Sequence, residues 1–365
     1  MIQKIGLFDL CRPKQWPTIS RTEMEPTGFP VYGANGIIGR SSSFTHDKPT
    51  VMVGCRGSVG TIHVSEGKAY INGNAMALDG LDETRCLVDY LAFFLKWRGL
   101  DDIASGSSQP QITRESLRRV VVPLPSLDAQ RRIVARLKAA DSVVQNREKQ
   151  IADLYELEES EFEASFRDHL KHDLLPLQEL IAPGTFISYG IVQAGPRLEV
   201  GIPYIRPVDI KKGTIATEQV LRTSPAIAAK FERSRVTAGD IVITIRATLG
   251  ATAFVPPELD GANLTQGTAR ISPSDKVNSI YLKAYIDSQY GQDWIDSRAK
   301  GATIRGINLE ELRQMPIPLP PASIQLEFAR TIERIQQLRR MLERNLPLEA
   351  ELFNSIQAES FGDYS

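Results

Sequence analysis

Two stretches of this chain carry apolar residues at helical spacing over several heptads. Ile133, Leu137, Ala140, Val144, Ile151 and Leu154 recur at steps of three, four or seven, with charged residues between them. Ile324, Phe328, Ile332, Ile335, Leu338, Leu342 and Leu346 do the same. That period gathers each set on one face of an amphipathic helix, or on a coiled-coil seam. Residues 126–175 contain neither Pro nor Gly, so nothing breaks the first helix. In the second, Pro347 lacks a backbone N–H and should kink or interrupt it.

The two helices are entered in the same way. VVPLPSLDAQRRIVARL begins at Val121 and PIPLPPASIQLEFARTI at Pro316, a spacing of 195 residues. Laying residues 106–168 over 301–363 without a gap pairs Gly106 with Gly301, Ile112 with Ile307, Glu115 with Glu310 and Leu117 with Leu312. It also pairs Pro123-Leu124-Pro125 with Pro318-Leu319-Pro320, Gln130 with Gln325 and Phe166-Arg167-Asp168 with Phe361-Gly362-Asp363. The prolines hold the entry extended, and Ser126 or Ser323 is placed to cap the helix that follows. A good helix start explains either motif alone but not the pair.

The remaining residues form two blocks of a different character. Short β-branched strands (Val51 to Val53, Thr61 to Val64, Ile241 to Ile245) alternate with helix-like stretches (Val88 to Trp97, Ile280 to Ile295). Short strands joined by tight Gly turns predict a mainly antiparallel sheet with helices packed against it, so the fold class is α+β. The blocks echo each other: GFPVYGANGIIG from Gly28 resembles GIPYIRPVDIKKG from Gly201, and TVMVGCRGSVGTIHV from Thr50 resembles DIVITIRATLGATAFV from Asp240. Aligning Arg56 with Arg246 also aligns Gly60 with Gly250.

Composition narrows the class. A chain of 365 residues supports two or three compact domains. No apolar run approaches the roughly 20 residues needed to span a bilayer, so no membrane association is expected. MIQKIGLFDLCRPK has neither a long apolar core nor a small-residue cleavage site, which makes the cytoplasm the expected compartment. Cys11, Cys55 and Cys86 fit neither a disulfide framework nor a metal site and read as buried thiols. The net charge of −1 hides an uneven distribution: Lys+Arg against Asp+Glu is 14 to 12 over residues 1–125, 8 to 11 over 126–175, 16 to 14 over 176–320 and 5 to 7 over 321–365. Mildly basic blocks between acidic helices are compatible with a nucleic-acid partner.

Catalytic motifs give no site. Glu66-Gly67-Lys68 and Asp209-Ile210-Lys211 match the acidic-x-Lys fragment of metal-dependent nucleases, but about two such triplets are expected by chance. His169 and His172 have no third ligand nearby. Gly54 to Gly60 lacks the phosphate-cradling signatures and reads as a turn or bulge between strands, and neither Asn-Pro-Pro-aromatic nor Gly-x-Ser-x-Gly occurs. Polar loops suit recognition better. YGANGIIG, with Tyr32 and Asn35, and SGSSQPQI, with Gln109 and Gln111, join tight turns to amides that match an adenine edge. Arg56, Arg246 and Arg305 suit guanine or phosphate, and Arg206, Ser58, Thr248 and Gln266 complete the candidate set. For any one of them a turn or a phosphate contact is the simpler role; together they are the candidate working surface.

With these residues in view, the chain resembles the DNA-specificity (S) subunits of Type I restriction-modification systems over essentially its whole length. The resemblance rests on block, long helix, block, long helix, on the doubled Pro-Leu-Pro…Gln-x-x-Ile/Phe entry, and on the GFPVYGANGIIG and Arg56-Gly57-Ser58-Val59-Gly60 stretches. It implies two target recognition domains, residues 1–125 and 173–320. The long helices, 126–172 and 321–365, would pair antiparallel as a coiled-coil spacer. Each domain would read one half of a split, asymmetric site on double-stranded DNA. The chain would have no catalytic activity and no cofactor of its own. Two modification (methyltransferase) subunits would bring S-adenosylmethionine, and restriction/translocase subunits would join the full complex. Two features depart from the pattern, Pro347 and a first block entered without a preceding helical arm. A stand-alone DNA-binding regulator, or a nuclease or methyltransferase with degenerate motifs, are the rival readings.

Overall fold

The computed structural model describes residues 3–106, 109–171, 173–301 and 305–362. The chain packs into two compact units, Met1–Lys149 with Leu342–Ser365, and Gln150–Met341. Each unit therefore contains one globular block, one end of the first long helix, Leu127–Phe166, and one end of the second, Ala322–Phe361.

In the first unit an antiparallel sheet runs in the order Arg12–Gln15, Ala75–Asp79, Val51–Gly54, Ile62–Val64. Strand alternation sends Val51, Val53, Met76 and Leu78 to one face, where they pack with Tyr90, Leu91 and Phe94 of the helix Val88–Arg98. Met52, Ala75 and Ala77 point to the other face and meet Tyr32 and Ile71 from a second sheet. That sheet has the order Gly36–Ser41, Phe29–Gly33, Tyr70–Ile71, its last pairing parallel.

The second unit repeats this plan. Its central sheet is Thr252–Phe254, Ile241–Thr244, Thr268–Ile271, with Ile241 and Ile243 packing against Tyr281 and Leu282 on one side. Val242 and Ala253 pack against Ile205 and Leu264 on the other. The second sheet is Leu221–Thr223, Ile202–Ile205, Asn263–Leu264, again with the last pairing parallel. In place of the strand Arg12–Gln15 this edge carries isolated bridges, Ile181 to Pro273 and Tyr189 to Ala269. Small contacts repeat as well: Arg40 Nη1 donates to Gly28 O and Arg222 Nη1 to Gly201 O, both at 2.9 Å. The sheets are mainly antiparallel, as the strand pattern predicts.

The doubled motif has a structural cause in each unit. The strand Val121–Leu124 pairs antiparallel with Gln3–Gly6, and Pro316–Pro318 pairs with Leu174–Pro176. In each unit the proline carbonyl of this strand accepts from a buried tyrosine: Tyr90 Oη donates to Pro123 O at 2.7 Å and Tyr281 Oη to Pro318 O at 2.8 Å. Gln130 and Gln325 are buried behind this strand. Gln130 Oε1 accepts from Leu87 N and its Nε2 donates to Pro125 O, while Gln325 Oε1 accepts from Asn278 N and its Nε2 donates to Pro320 O. Each Gln thus clamps a block's helix start to the start of a long helix, using amide groups whose burial would otherwise be costly.

The long helices run antiparallel in both units. Arg136 pairs with Glu359 and Arg147 with Glu349 in the first, and Arg339 with Glu158 in the second. Aromatic residues seat the helix ends. Phe361 lies 5.7 Å from the rings of Tyr90 and Phe94 and 5.6 Å from Trp97. Phe166 lies 4.6 Å from Tyr281 and 4.9 Å from Phe328.

Four expectations are corrected. Pro347 does not interrupt the second helix, which runs from Ala322 to Phe361. Proline removes one backbone hydrogen bond there, but the flanking turns are held by the half-buried seam residues Leu342 and Leu346 and by the Arg147–Glu349 pair. Leu338 is exposed, and the seam position after Ile335 belongs to Arg339, four residues on, which lies over the Tyr155 ring and bonds to Glu158. Ser126 Oγ accepts from Ala129 N as an N-cap, but Ser323 lies inside its helix because Pro321, not a serine, stands in register with Ser126. The stretch Ile280 to Ile295 is two helices, Ser279–Asp287 and Gln289–Arg298; Ser288 turns extended and caps the second by accepting from Gly291 N. Among the described residues no helix is long and apolar enough to cross a membrane.

Candidate nucleic-acid interface

In the first unit three loops meet. The turn at Ala34-Asn35 joins the strands Phe29–Gly33 and Gly36–Ser41, and Ala34 O accepts a hydrogen bond from Thr61 Oγ1 at the end of the Arg56 loop. The third loop is closed by Ser105 and Gln111, which exchange backbone hydrogen bonds at 2.9 and 2.8 Å. Ile112 N donates to Cys55 O at 3.2 Å and sets that loop beside Arg56. Asn35, Arg56 and Gln109 are exposed, while Ser58 and Gln111 are half-buried. Ser58 O accepts from Thr61 Oγ1, so its backbone shapes the loop. Ser107 and Ser108 lie outside the described residues. Tyr32 is not brought to this surface: it is 5% exposed, and its hydroxyl accepts from Glu66 N.

The second unit builds the same junction. Ile307 N donates to Ile245 O at 3.1 Å, and Ile245 N donates to Gly267 O at 2.9 Å, which brings Arg246, Gln266 and Arg305 together. Gly250 N donates to Thr244 O as Gly60 N does to Gly54 O, both at 2.9 Å. With φ of +83° and +81°, each glycine closes its loop in a conformation that a side chain would strain. Arg246, Thr248 and Gln266 are exposed. Thr248 O accepts from Thr244 Oγ1, which fixes the loop and leaves the Thr248 side chain outward.

The arginines divide by partner. Arg206 holds Asp209, a carboxylate 1% exposed, through two side-chain hydrogen bonds at 3.0 and 2.6 Å. Those bonds raise the Arg206 pKa further and make this side chain a local brace. Arg305 is paired with Asp296 at 3.2 Å. Arg56 and Arg246 have no side-chain partner among the described residues and stand in register, so they are the cations each junction offers to an anion. Beside the first junction Ile37 and Ile38 are exposed, and Val208 is exposed beside the second.

Sequence reasoning missed Asn74. It is exposed, and its carbonyl accepts from Cys55 N at 2.9 Å and Arg56 N at 3.4 Å. Matching the turn Asn72-Gly73-Asn74 to Thr265-Gln266-Gly267 was the signal available, and it needs the strand register to be seen.

Groups that resemble catalytic chemistry are engaged in the fold. The Lys68 ammonium lies 4.9 Å from the centre of the Phe44 ring, and the carboxylate of Asp209 is taken by Arg206. Thr45, His46 and Asp79 form a hydroxyl–imidazole–carboxylate chain at 2.7 and 2.9 Å, but Thr45 Oγ1 already accepts from Ile71 N, so the chain ties a loop to the sheet. Burial pushes the thiols of Cys11 and Cys86 up to about 12 and that of Cys55 to about 11, which keeps them protonated and unreactive. Among the described residues no three His, Cys, Asp or Glu side chains are grouped to hold a metal, and His172 lies outside them.

A family model described as the Type I restriction modification DNA specificity domain matches residues 3–155 and again 193–352. The Type I restriction enzyme EcoBI specificity subunit of Escherichia coli is 28% identical over 180 residues, 48% of this chain but only 38% of that subunit. A putative type I restriction enzyme specificity subunit of Haemophilus influenzae is 22% identical over 341 residues, covering 88% of this chain and 84% of that one. Among solved structures, the S subunit of a Type I restriction-modification system from M. genitalium matches with a TM-score of 0.65 at 15% identity, over 99% of this chain and 96% of that one. A chain from a structure on complex assembly and conformational transition of the type I R-M system matches with a TM-score of 0.53 at 16% identity, over 99% and 97%. At these identities the structures speak to the fold.

Proposed function

The chain belongs to the Type I restriction-modification DNA specificity family, and from that premise we propose that it reads a bipartite, asymmetric sequence on double-stranded DNA. In this reading residues 1–125 and 173–320 are the two target recognition domains, and each addresses one half-site. The long helices form the spacer on which two methyltransferase subunits assemble. S-adenosylmethionine enters with those subunits, restriction/translocase subunits join the full complex, and the chain itself performs no chemistry.

One observation carries this. Two loop junctions with the same backbone hydrogen bonds present different side chains, apart from Arg56 and Arg246, which stand in register. A shared arginine suits the phosphate backbone, which is the same everywhere, whereas the differing amides and apolar tips suit two different base sequences. Related halves in one chain can place readers on successive duplex segments without requiring the half-sites to match.

The test is reconstitution with methyltransferase subunits, followed by mapping of methylated sites. Methylation confined to one split sequence supports the proposal. Turnover by the purified chain alone, with magnesium and S-adenosylmethionine, that disappears in Lys68→Ala or Lys211→Ala would overturn it. Sequence-specific DNA binding that gains nothing from any methyltransferase would favour a stand-alone regulator.

A further inference from the structure

The turns that follow the parallel strands match in backbone but not in side chains. Cys55 N donates to Asn74 O, and Ile245 N donates to Gly267 O, each at 2.9 Å, so Asn74 occupies the place of Gly267 and Gly73 that of Gln266. A Cβ on Gly73 would stand 2.7 Å from the backbone oxygen of Trp16 and 2.6 Å from Thr18 Oγ1. A Cβ on Gly267 would stand 2.6 Å from the ring of Pro207. Neither a backbone oxygen nor a proline ring moves aside easily, so each block forbids a side chain at the position where the other carries its amide.

The two amides are nevertheless presented alike. Asn74 is exposed and anchored beside Arg56 through its own carbonyl, and Gln266 is exposed and anchored by donating its N–H to Ile191 O at 3.0 Å. Among the described residues neither carboxamide has a hydrogen-bond partner. An exposed, backbone-fixed carboxamide offers the paired donor and acceptor that match the N6 and N7 edge of adenine.

We propose that Asn74 is a specificity-determining residue of the first block, reading a base edge in its half-site from a position one residue later in the turn than Gln266 uses in the second. This rests on the reading of the chain as a DNA-sequence reader. It adds that the halves differ in the register of their amide readers as well as in the residues that line them. The offset follows from what packs under each turn: the Trp16 to Thr18 segment in one block and Pro207 in the other.

The test uses the chain assembled with its methyltransferase subunits, with methylated sites mapped for the wild type, Asn74→Ala and Asn74→Asp. Asn74→Ala should lose selectivity at one base pair of one half-site, by roughly tenfold to a hundredfold, and leave the other half unchanged. Asn74→Asp has nearly the same shape but only accepts, so the preference at that base pair should move from adenine toward cytosine, whose N4 donates. If both variants methylate the wild-type sequence with unchanged selectivity, or if both weaken all sites equally, Asn74 is not a reader. Wild-type complex that methylates no defined sequence would remove the underlying function instead, and the two failures are distinguishable.

Discussion

Replacing Phe361 by Ala tests whether the end of the second long helix is seated as described. The side chain is fully buried against Tyr90, Phe94 and Trp97, with ring centres 5.6–5.7 Å apart. Removing a fully buried Phe loses about 1.5–3 kcal/mol of transfer free energy, and each tilted or edge-on aromatic pair adds about 0.5–1.5 kcal/mol beyond its area. Those pairs share one ring and are not additive, so the expected loss is about 3–5 kcal/mol, the usual range for burying and then deleting this side chain. The chain has three tryptophans, Trp16, Trp97 and Trp294. With Trp16 and Trp294 replaced by Phe, fluorescence reports from Trp97, next to the deleted ring. Urea unfolding followed by that signal should shift by the stated amount relative to the same background with Phe361 present. A shift under about 1 kcal/mol would mean that the helix end does not pack on this block in solution. Phe166→Ala should cost a similar amount, because it deletes the register-equivalent ring beside Tyr281 and Phe328.

Other perturbations probe the remaining parts. Gln325→Leu leaves Asn278 N and Pro320 O without their partner and should cost about 1–3 kcal/mol in urea unfolding; a neutral result would mean water replaces the amide. Burial, and secondarily Lys96, lowers the pKa of His63 below its ordinary 6.5, so the fold prefers neutral imidazole. The stability this contributes is complete above about pH 6.5 and is lost as pH falls below it; His63→Asn should flatten that fall in unfolding midpoints taken between pH 7.5 and 5.5, and an unchanged profile would refute it. Arg246→Ala should weaken DNA binding by the assembled complex and reduce its dependence on salt without changing the preferred sequence, as expected for a phosphate contact; a shifted base preference in the second half-site would make it a base reader.

Periodicity made the helices legible because an amphipathic seam is a local, one-dimensional signal. It placed Ile332, Ile335 and Leu342 correctly on the seam and failed at Leu338, where Arg339 lies on the seam instead, its guanidinium over the Tyr155 ring and paired with Glu158. An apolar pattern cannot show a buried arginine. An interruption at Pro347 was expected for the opposite reason: the local rule is correct, but packing on both sides outweighs one missing hydrogen bond and the helix continues. Strand positions in both blocks were also legible, since each β-branched run is followed by a loop that a glycine closes, Gly60 or Gly250. The candidate surface was legible only in part. Arg56 and Arg246 followed from the internal alignment. That Tyr32 turns into the core and Arg206 is spent on Asp209 depends on contacts from segments 34 and three residues away, which type and spacing do not encode.

What the duplication preserves and what it changes fall in different places, and this bears on how such a chain can vary. The preserved groups are the ones that bind a block to the long helices: Tyr90 and Tyr281 on proline carbonyls, Gln130 and Gln325 on a helix start, Phe361 and Phe166 at the helix ends. Substitution there leaves a buried polar group without its hydrogen bond, at the tyrosines and glutamines, or a cavity, at the phenylalanines. The loops at the other edge of the sheet are held by backbone hydrogen bonds, such as Ile112 N to Cys55 O and Ile307 N to Ile245 O, which do not depend on side-chain identity. Exposed residues in such loops can therefore change without destabilising the block, while a change of register is restricted by what packs beneath, as Gly73 and Gly267 show. A Gly73→Asn, Asn74→Gly double variant, which moves the amide to the position of Gln266, should accordingly fail by misfolding of the first block, not by a clean change of sequence preference. Normal folding of that variant would show that the Trp16 to Thr18 segment yields, and that the offset between the two readers is not imposed by packing.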